Sequence, residues 1–366
     1  MRIAINLGLF EHRLSPGIDE VLFDIFSSVA KQQPYHYFIF LASKPCKISD
    51  PAEINVEWMV TRLKQRDLPF SRWFLKRKTS AVLTRNKVDV FISVEDLFRF
   101  NPVVSNVLFV NNLSFFEKHR GPKKKRINKV LDNARSICTT TEILKAEIMS
   151  KYKTPEDKIW NVGGFIQPVF QPVEWSNKEM IKEAYADGYE YFLLISEYAE
   201  ENVIHTLKAF SIFKKWQKSN MKLLLLHTRS TKDTFADQLK TFKYRDDVKV
   251  LNSLPVDEVA KVFAGAYAVL FPCTTEVFPT PVLQAMQCET PIITFHNGSV
   301  AEVGAEAVLY ADLKTPADMA DQMKRIYKDE LLRDNLIAEG KRRAALYSLE
   351  KTSSVMWQAI QKAVSE

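Results

Sequence analysis

The chain has 366 residues, 46% of them hydrophobic and 26% charged, the balance of a folded chain with room for two domains, which excludes a disordered polymer. No apolar run reaches the roughly 20 residues of a membrane-spanning helix. Acidic residues close behind "MRIAINLGLFEHR" argue against a secretory signal, and the scattered Cys46, Cys138, Cys273 and Cys288 show neither a C-x-x-C pair nor metal spacing. These features predict reduced core thiols in a cytosolic protein with no metal site.

In chain order, strands and helices alternate. "RIAINLG" reads as a first strand. "GIDEVLFDIFSSVAKQ" has helical spacing at Val21, Leu22, Ile25, Phe26 and Val29, and Asp19 and Glu20 in its first turn suit the helix dipole. "YHYFIFLAS", "VDVFISV", "SNVLFVNN" and "SICTTT" read as buried strands. "WFLKRKTSAVLTRN", "KKKRINKVLDNA" and "EILKAEIMSKY" read as the helices between them. "NVGGFIQPVFQPVEWSNKE", with its glycines and prolines, reads as a linker. The pattern then restarts: strands "YFLLIS", "KLLLLHT", "VKVLNS", "AVLFPC" and "PIITFH", and helices "NVIHTLKAFSIFKKWQK", "PVDEVAKVFAGA", "PTPVLQAMQ", "PADMADQMKRIYKD" and "LRDNLIAEGKRRAALY". This alternation predicts parallel sheets covered on both faces, hence two doubly wound α/β domains in series. Ligands of such folds bind at the carboxyl ends of the strands, here expected in a cleft between the domains.

Charge is uneven. Residues 1–172 hold 27 Lys+Arg against 17 Asp+Glu, a net of +10; the rest hold 24 against 27, a net of −3. The excess lies in "RLKQRDLPFSRWFLKRK" (62–78) and "KHRGPKKKR" (118–126). Basic residues interleaved with Phe70, Trp73 and Phe74 suit an anionic membrane surface or lipid phosphate, or a solvated face over core aromatics; nucleic acid is not adopted as a partner.

The segment "AYAVLFPCTTEVFPTPVLQAMQCETPII" resembles the donor-site pattern A-d-x-x-x-x-P-S-x-x-E-G-F-G-L-P-x-L-E-A-M-A-x-G-x-P-V-V of the retaining nucleotide-sugar glycosyltransferases of family 4. "SVAEVGAEAVLY" is similar to that family's glycine-and-Glu strand-turn segment, "IWNVGGFIQPVFQP" to its linker, "TTTEILKAEI" to the helix start before it, and "YSLEKTSSVMWQAIQKAV" to its final helix. The resemblance implies an α/β protein of the GT-B fold: two Rossmann-like domains facing a cleft, with the last helix crossing back to the first. The expected boundaries are 1–170 plus about 350–366 for the acceptor-side domain and 171–349 for the donor-nucleotide domain.

The resemblance also implies site residues. Glu276 matches the first Glu of the family's E-x7-E pair, which meets the donor sugar. Gln284 stands for the second, which meets the ribose; an amide bonds hydroxyls without a carboxylate's charge-assisted strength. Val277 and Pro279 replace the two glycines that flank Phe278, and Pro279 removes an N–H. Thr280 supplies a hydroxyl as an N-cap or phosphate contact. Glu197 and Glu201 fall where the family has Arg and Lys on the leaving diphosphate, a charge reversal; Arg229 and Lys232, in the loop after the next strand, are the expected replacements, or else exposed loop charges. Asn111 and Asn112 stand where the family has His-Asp. Gly17 is what remains of the Gly-Gly acceptor loop. His12 and His296 suit surface positions as well as a site. Glu276 and Gln284 could also do no more than satisfy backbone groups.

Two functions follow as expectations. One is retaining sugar transfer from a UDP- or GDP-linked donor to a glycan or lipid-linked acceptor, without metal or cofactor, in the cytoplasm or peripherally at the inner face of a membrane. The other is a catalytically inactive GT-B protein serving as scaffold or partner subunit, with a protein partner.

Overall fold

The computed structural model describes residues 1–6, 18–42, 55–60, 71–94, 104–113, 124–196, 200–218, 220–227, 239–252 and 254–365. They form two compact units, Met1–Gly164 with Ser348–Glu366, and Phe165–Tyr347.

In the first unit the chain runs β1 (Arg2–Asn6), α1 (Ile18–Gln32), β2 (Tyr37–Ala42), β3 (Val56–Val60), α2 (Ser71–Arg85), β4 (Val90–Val94), β5 (Ser105–Val110), α3 (Lys124–Asn133), β6 (Ser136–Thr139), α4 (Glu142–Tyr152) and β7 (Ile159–Asn161). The strands make one parallel sheet in the order β3-β2-β1-β4-β5-β6-β7. β4 is buried throughout, as expected of a strand covered on both faces. Helix α4 starts where Thr141 Oγ1 accepts the Leu144 N–H at 3.1 Å, a side-chain N-cap.

The second unit runs α5 (Trp175–Ala186), β8 (Tyr191–Ser196), α6 (Glu200–Gln217), β9 (Lys222–His227), β10 (Val248–Asn252), α7 (Val256–Gly265), β11 (Ala268–Phe271), α8 (Thr280–Gln287), β12 (Ile292–Phe295), α9 (Gly298–Gly304), β13 (Leu309–Ala311), α10 (Pro316–Lys328) and α11 (Glu330–Ala344). Its parallel sheet has the order β10-β9-β8-β11-β12-β13. Side chains alternate between faces along each strand. Leu193 and Ile195 therefore join the core under α7, α8 and α9, while Phe192 and Leu194 join the core under α6 and α10.

The last helix, α12 (Leu349–Ser365), returns to the first unit. It buries Thr352, Ser353, Met356, Trp357, Ala359, Ile360 and Ala363, one stripe at helical spacing. Thr352 Oγ1 donates to the Gly164 carbonyl at 3.1 Å, and the buried Cys138 and Met356 sulfurs lie 3.8 Å apart.

Several elements differ from the sequence reading. The expected linker ends early, because Trp175 already opens α5; its first turn lacks both a side-chain cap and acidic residues, which hides the start. "SVAEVG", expected as a strand-turn, is helix α9, started by an Asn cap. Strands β3, β7 and β13 have only three to five residues and carry too little apolar pattern to be read alone.

Candidate functional site

In the second unit the strand order reverses between β8 and β11, and the crevice beyond the carboxyl ends of these two strands is where such sheets take ligands. β11 ends at Phe271 and feeds the segment 272–279, which carries Glu276. Three successive carbonyls at its start are each taken by a different side chain. Thr294 Oγ1 donates to Phe271 O at 2.7 Å. Asn202, in the first turn of α6, donates its amide to Pro272 O at 2.8 Å and lies 3.4 Å from Thr274 Oγ1. Asn297 donates to Cys273 O at 3.0 Å. Asn202, Thr294 and Asn297 are all buried, where an unpaired carbonyl would be costly. The loop is thereby tied to α6 on one side and to the β12–α9 turn on the other.

Glu276 is exposed, yet its carboxylate has three donors. Oε1 accepts the Gly298 N–H, and Oε2 accepts both the N–H and the hydroxyl of Ser299, each at 2.8 Å. A negative charge at the start of α9 complements the helix dipole, and hydrogen bonds to an ionised acceptor are the stronger kind. Asn297 Oδ1 accepts the Val300 N–H at 2.8 Å, so one side chain caps α9 and also holds the loop. At the other end of α9, Arg343 donates from Nε to Val303 O at 3.0 Å and from a terminal nitrogen to Glu302 O. Tyr347, just past α11, places its ring 6.0 Å from that of Phe278. The loop, α9 and the end of α11 thus form a closed circuit: Glu276 to α9, α9 to Arg343, and Tyr347 back to Phe278.

The start of α8 differs from the expectation. Thr280 is the first helical residue and not its cap; Pro279 occupies the cap position with no side-chain cap bond. The Thr280 N–H donates to Phe278 O and the Val282 N–H to Pro279 O, both at 2.9 Å. Pro279 and Pro281 have no N–H. From Pro279 to Val282, therefore, no backbone donor is left for an anion, although helix starts commonly supply several. Val277 is buried, and Thr280 and Gln284 are half-buried. Gln284 makes no side-chain hydrogen bond to any described residue.

The remaining expected residues are spread out. Glu201 is exposed on the first turn of α6, next to Asn202. Asn111 belongs to the first unit and accepts from Thr140 Oγ1 at 3.2 Å. His296 is exposed, its ring 5.1 Å from that of Tyr310. Gly17, His12, Glu197, Arg229 and Lys232 lie outside the described residues, as do most side chains of the two basic segments. The second unit thus gathers Glu276, Val277, Phe278, Thr280 and Gln284 on one loop and helix, with Glu201 on α6 beside the Asn202 that holds this loop.

Sequence reasoning missed Asn202, Asn297, Ser299 and Arg343. An Asn directly after a strand, three residues before a buried Val, is an N-cap signal, so Asn297 was findable. The roles of Asn202 and Arg343 depend on partners 70 and 40 residues away and leave no local trace. Burial pushes the Cys288 thiol up to about 12 and the Cys138 thiol higher still, so neither is a nucleophile at neutral pH. Among the described residues, no group of His, Cys, Asp and Glu could hold a metal ion, and no helix is long and apolar enough to cross a membrane.

Comparison with known proteins fits this geometry. Residues 176–343 match the family described as "Glycosyl transferases group 1". The chain is 23% identical over 235 residues to O-antigen chain mannosyltransferase B of Escherichia coli, covering 63% of this chain and 61% of that protein, so it spans less than two thirds of this relative's length. A glycosyltransferase from Rickettsia africae superposes with a TM-score of 0.80 at 11% identity over 100% of this chain and 99% of its own. Anabaena HepE, solved in complex with UDP, superposes with a TM-score of 0.76 at 10% identity over 98% and 99%. Residues 176–343, within the second unit, are thus similar to the glycosyltransferases of group 1, and the chain as a whole shares the GT-B fold of the solved glycosyltransferases.

Proposed function

We propose that the protein is a glycosyltransferase that takes its sugar from a nucleotide-linked donor and transfers it, with retention, to a glycan or lipid-linked acceptor. The observation that carries this reading is Glu276: an exposed carboxylate beside the strand-order reversal, held by three donors, and so oriented before any ligand arrives. A carboxylate with fixed geometry and one acceptor position still open suits a sugar hydroxyl. Gln284, eight residues on and with no side-chain hydrogen bond among the described residues, suits the ribose diol. Because the start of α8 has no N–H to offer, the diphosphate would be neutralised by side chains, for which Arg229 and Lys232 are the candidates. The E. coli relative, an O-antigen chain mannosyltransferase, supports a polysaccharide acceptor, and the HepE complex supports a uridine nucleotide. The basic first 172 residues suit peripheral contact with an anionic membrane face.

The test is product analysis. The protein is incubated with UDP-glucose and with GDP-mannose, and nucleoside diphosphate release and the anomeric signal of the product are followed by proton NMR. The reading predicts slow release with the donor's anomeric configuration kept in the product. Release with inversion would refute retention. No release from any sugar nucleotide, with or without a glycan acceptor, would refute catalysis.

A second reading is favoured by the same α8: with Pro279 and Pro281 lacking N–H groups and two others already taken, the site has lost a phosphate cradle. On that reading the protein is a non-catalytic GT-B scaffold or partner subunit, and it binds no nucleotide.

A further inference from the structure

Ser299 does more at Glu276 than a backbone position requires. Both its N–H and its hydroxyl donate to Oε2, at 2.8 Å each, while Gly298 holds Oε1. The hydroxyl is the one side-chain donor among the three. Ser299 is itself almost fully buried, so water does not compete for it, whereas Glu276 is exposed. The helix that presents Ser299 is fixed at its start by Asn297 and at its end by Arg343. Two amide donors alone hold a carboxylate along the start of a helix but leave it free to pivot about them. The third bond, to the same oxygen as one amide, fixes the carboxylate plane and leaves one acceptor position, on Oε1, for a ligand.

We propose that Ser299 is a positioning residue that sets how tightly the site holds the glycosyl group of its donor, acting through Glu276. The assignment rests on the sugar-nucleotide reading above, but it separates the two halves of the ligand. Ser299 governs the sugar; Gln284 governs the nucleotide. No bond is made or broken through Ser299, and its own oxygen does not touch the ligand.

The experiment is isothermal titration of the full chain with UDP, GDP, UDP-glucose and GDP-mannose, for wild type, Ser299→Ala and Ser299→Thr. Wild type is expected to bind one sugar nucleotide more tightly than the matching bare nucleotide. Ser299→Ala is expected to lose that difference, about tenfold or more for one charge-assisted hydrogen bond, with bare-nucleotide affinity unchanged. Ser299→Thr keeps a hydroxyl and is expected to restore the difference. A merely structural role would weaken both ligands alike and lower the melting temperature in proportion. Equal loss for nucleotide and sugar nucleotide, or no loss in Ser299→Ala while wild type discriminates, overturns the assignment and leaves the proposed function standing. Failure of wild type to bind any of the four ligands refutes the proposed function and the assignment together.

Discussion

Asn297→Ala removes two bonds at once. Val300 and Cys273 are essentially fully buried, so water cannot replace what the amide supplies. Losing the cap on Val300 N–H costs about 1 kcal/mol, within a range of roughly 0.5–2. Losing the Asn297 donation to the buried Cys273 carbonyl costs roughly 1–3 kcal/mol more. The sum is roughly 2–4 kcal/mol. For a unit the size of Phe165–Tyr347, each kcal/mol moves the melting temperature by about 2–4 °C, so a drop of roughly 5–15 °C is expected. Asn297→Asp makes the reasoning sharper. It keeps the cap acceptor and adds a favourable charge at the start of α9, but it places an acceptor against Cys273 O. It should recover part of the loss and not all of it. Because two units need not unfold together, the assay is urea denaturation combined with amide exchange resolved to residues 298–304 and 272–279. Faster exchange in both segments is expected in Asn297→Ala, since one side chain holds both. Variants within about 0.5 kcal/mol of wild type, or exchange altered in only one segment, would refute the bridging role.

Three further outcomes follow from the same structure. A Cβ on Gly265 would lie 2.6 Å from Ile181 Cγ2 and 2.7 Å from the Tyr191 hydroxyl, so Gly265→Ala should cost roughly 1–3 kcal/mol by overpacking, read as a lower urea midpoint. Ala305 sits at φ 45° and ψ −127°, a region costly for any residue with a Cβ, so Ala305→Gly should stabilise by roughly 0.5–1 kcal/mol after its own entropic cost; an unchanged or lower midpoint would contradict the strain. Burial, and then the hydrogen bond to Glu258, push the Tyr185 hydroxyl up to about 12, and burial raises Tyr191 well above 10. The unfolded chain therefore ionises these phenols first, near pH 10. Their contribution is complete below pH 10 and is lost as pH rises through the folded values. Melting temperature should fall between about pH 10 and 12, less steeply in Tyr185→Phe.

Most of the architecture was legible because buried parallel strands and amphipathic helices differ in period. "YFLLIS" and "KLLLLH" read as strands buried on both faces, while the returning last helix was expected from the family resemblance of "YSLEKTSSVMWQAIQKAV". The short elements were not legible. β13 is "LYA", and α9 is specified less by its own residues than by an Asn cap, a Glu from the preceding loop and an Arg from α11. The candidate site was visible as a motif, E-x7-Q on a strand–loop–helix, and so was the loss of glycine from its turn. What the sequence could not show is that Glu276 is already engaged by α9, that the N–H groups at the start of α8 are absent or taken, and that Asn202 and Asn297 divide the loop's carbonyls between them. These are through-space facts, and they decide how the motif can act.

The central claim is that this donor frame still takes a nucleotide. The most direct measurement is the melting temperature of the full chain with millimolar UDP, GDP, UDP-glucose and GDP-mannose, each in turn. A ligand at about 100 times its dissociation constant stabilises the fold by about 2.7 kcal/mol, so a clear rise is predicted for one base and its sugar conjugate, and it should shrink in Gln284→Ala. A melting temperature unmoved by all four ligands would contradict the claim and leave the protein a GT-B frame without its donor.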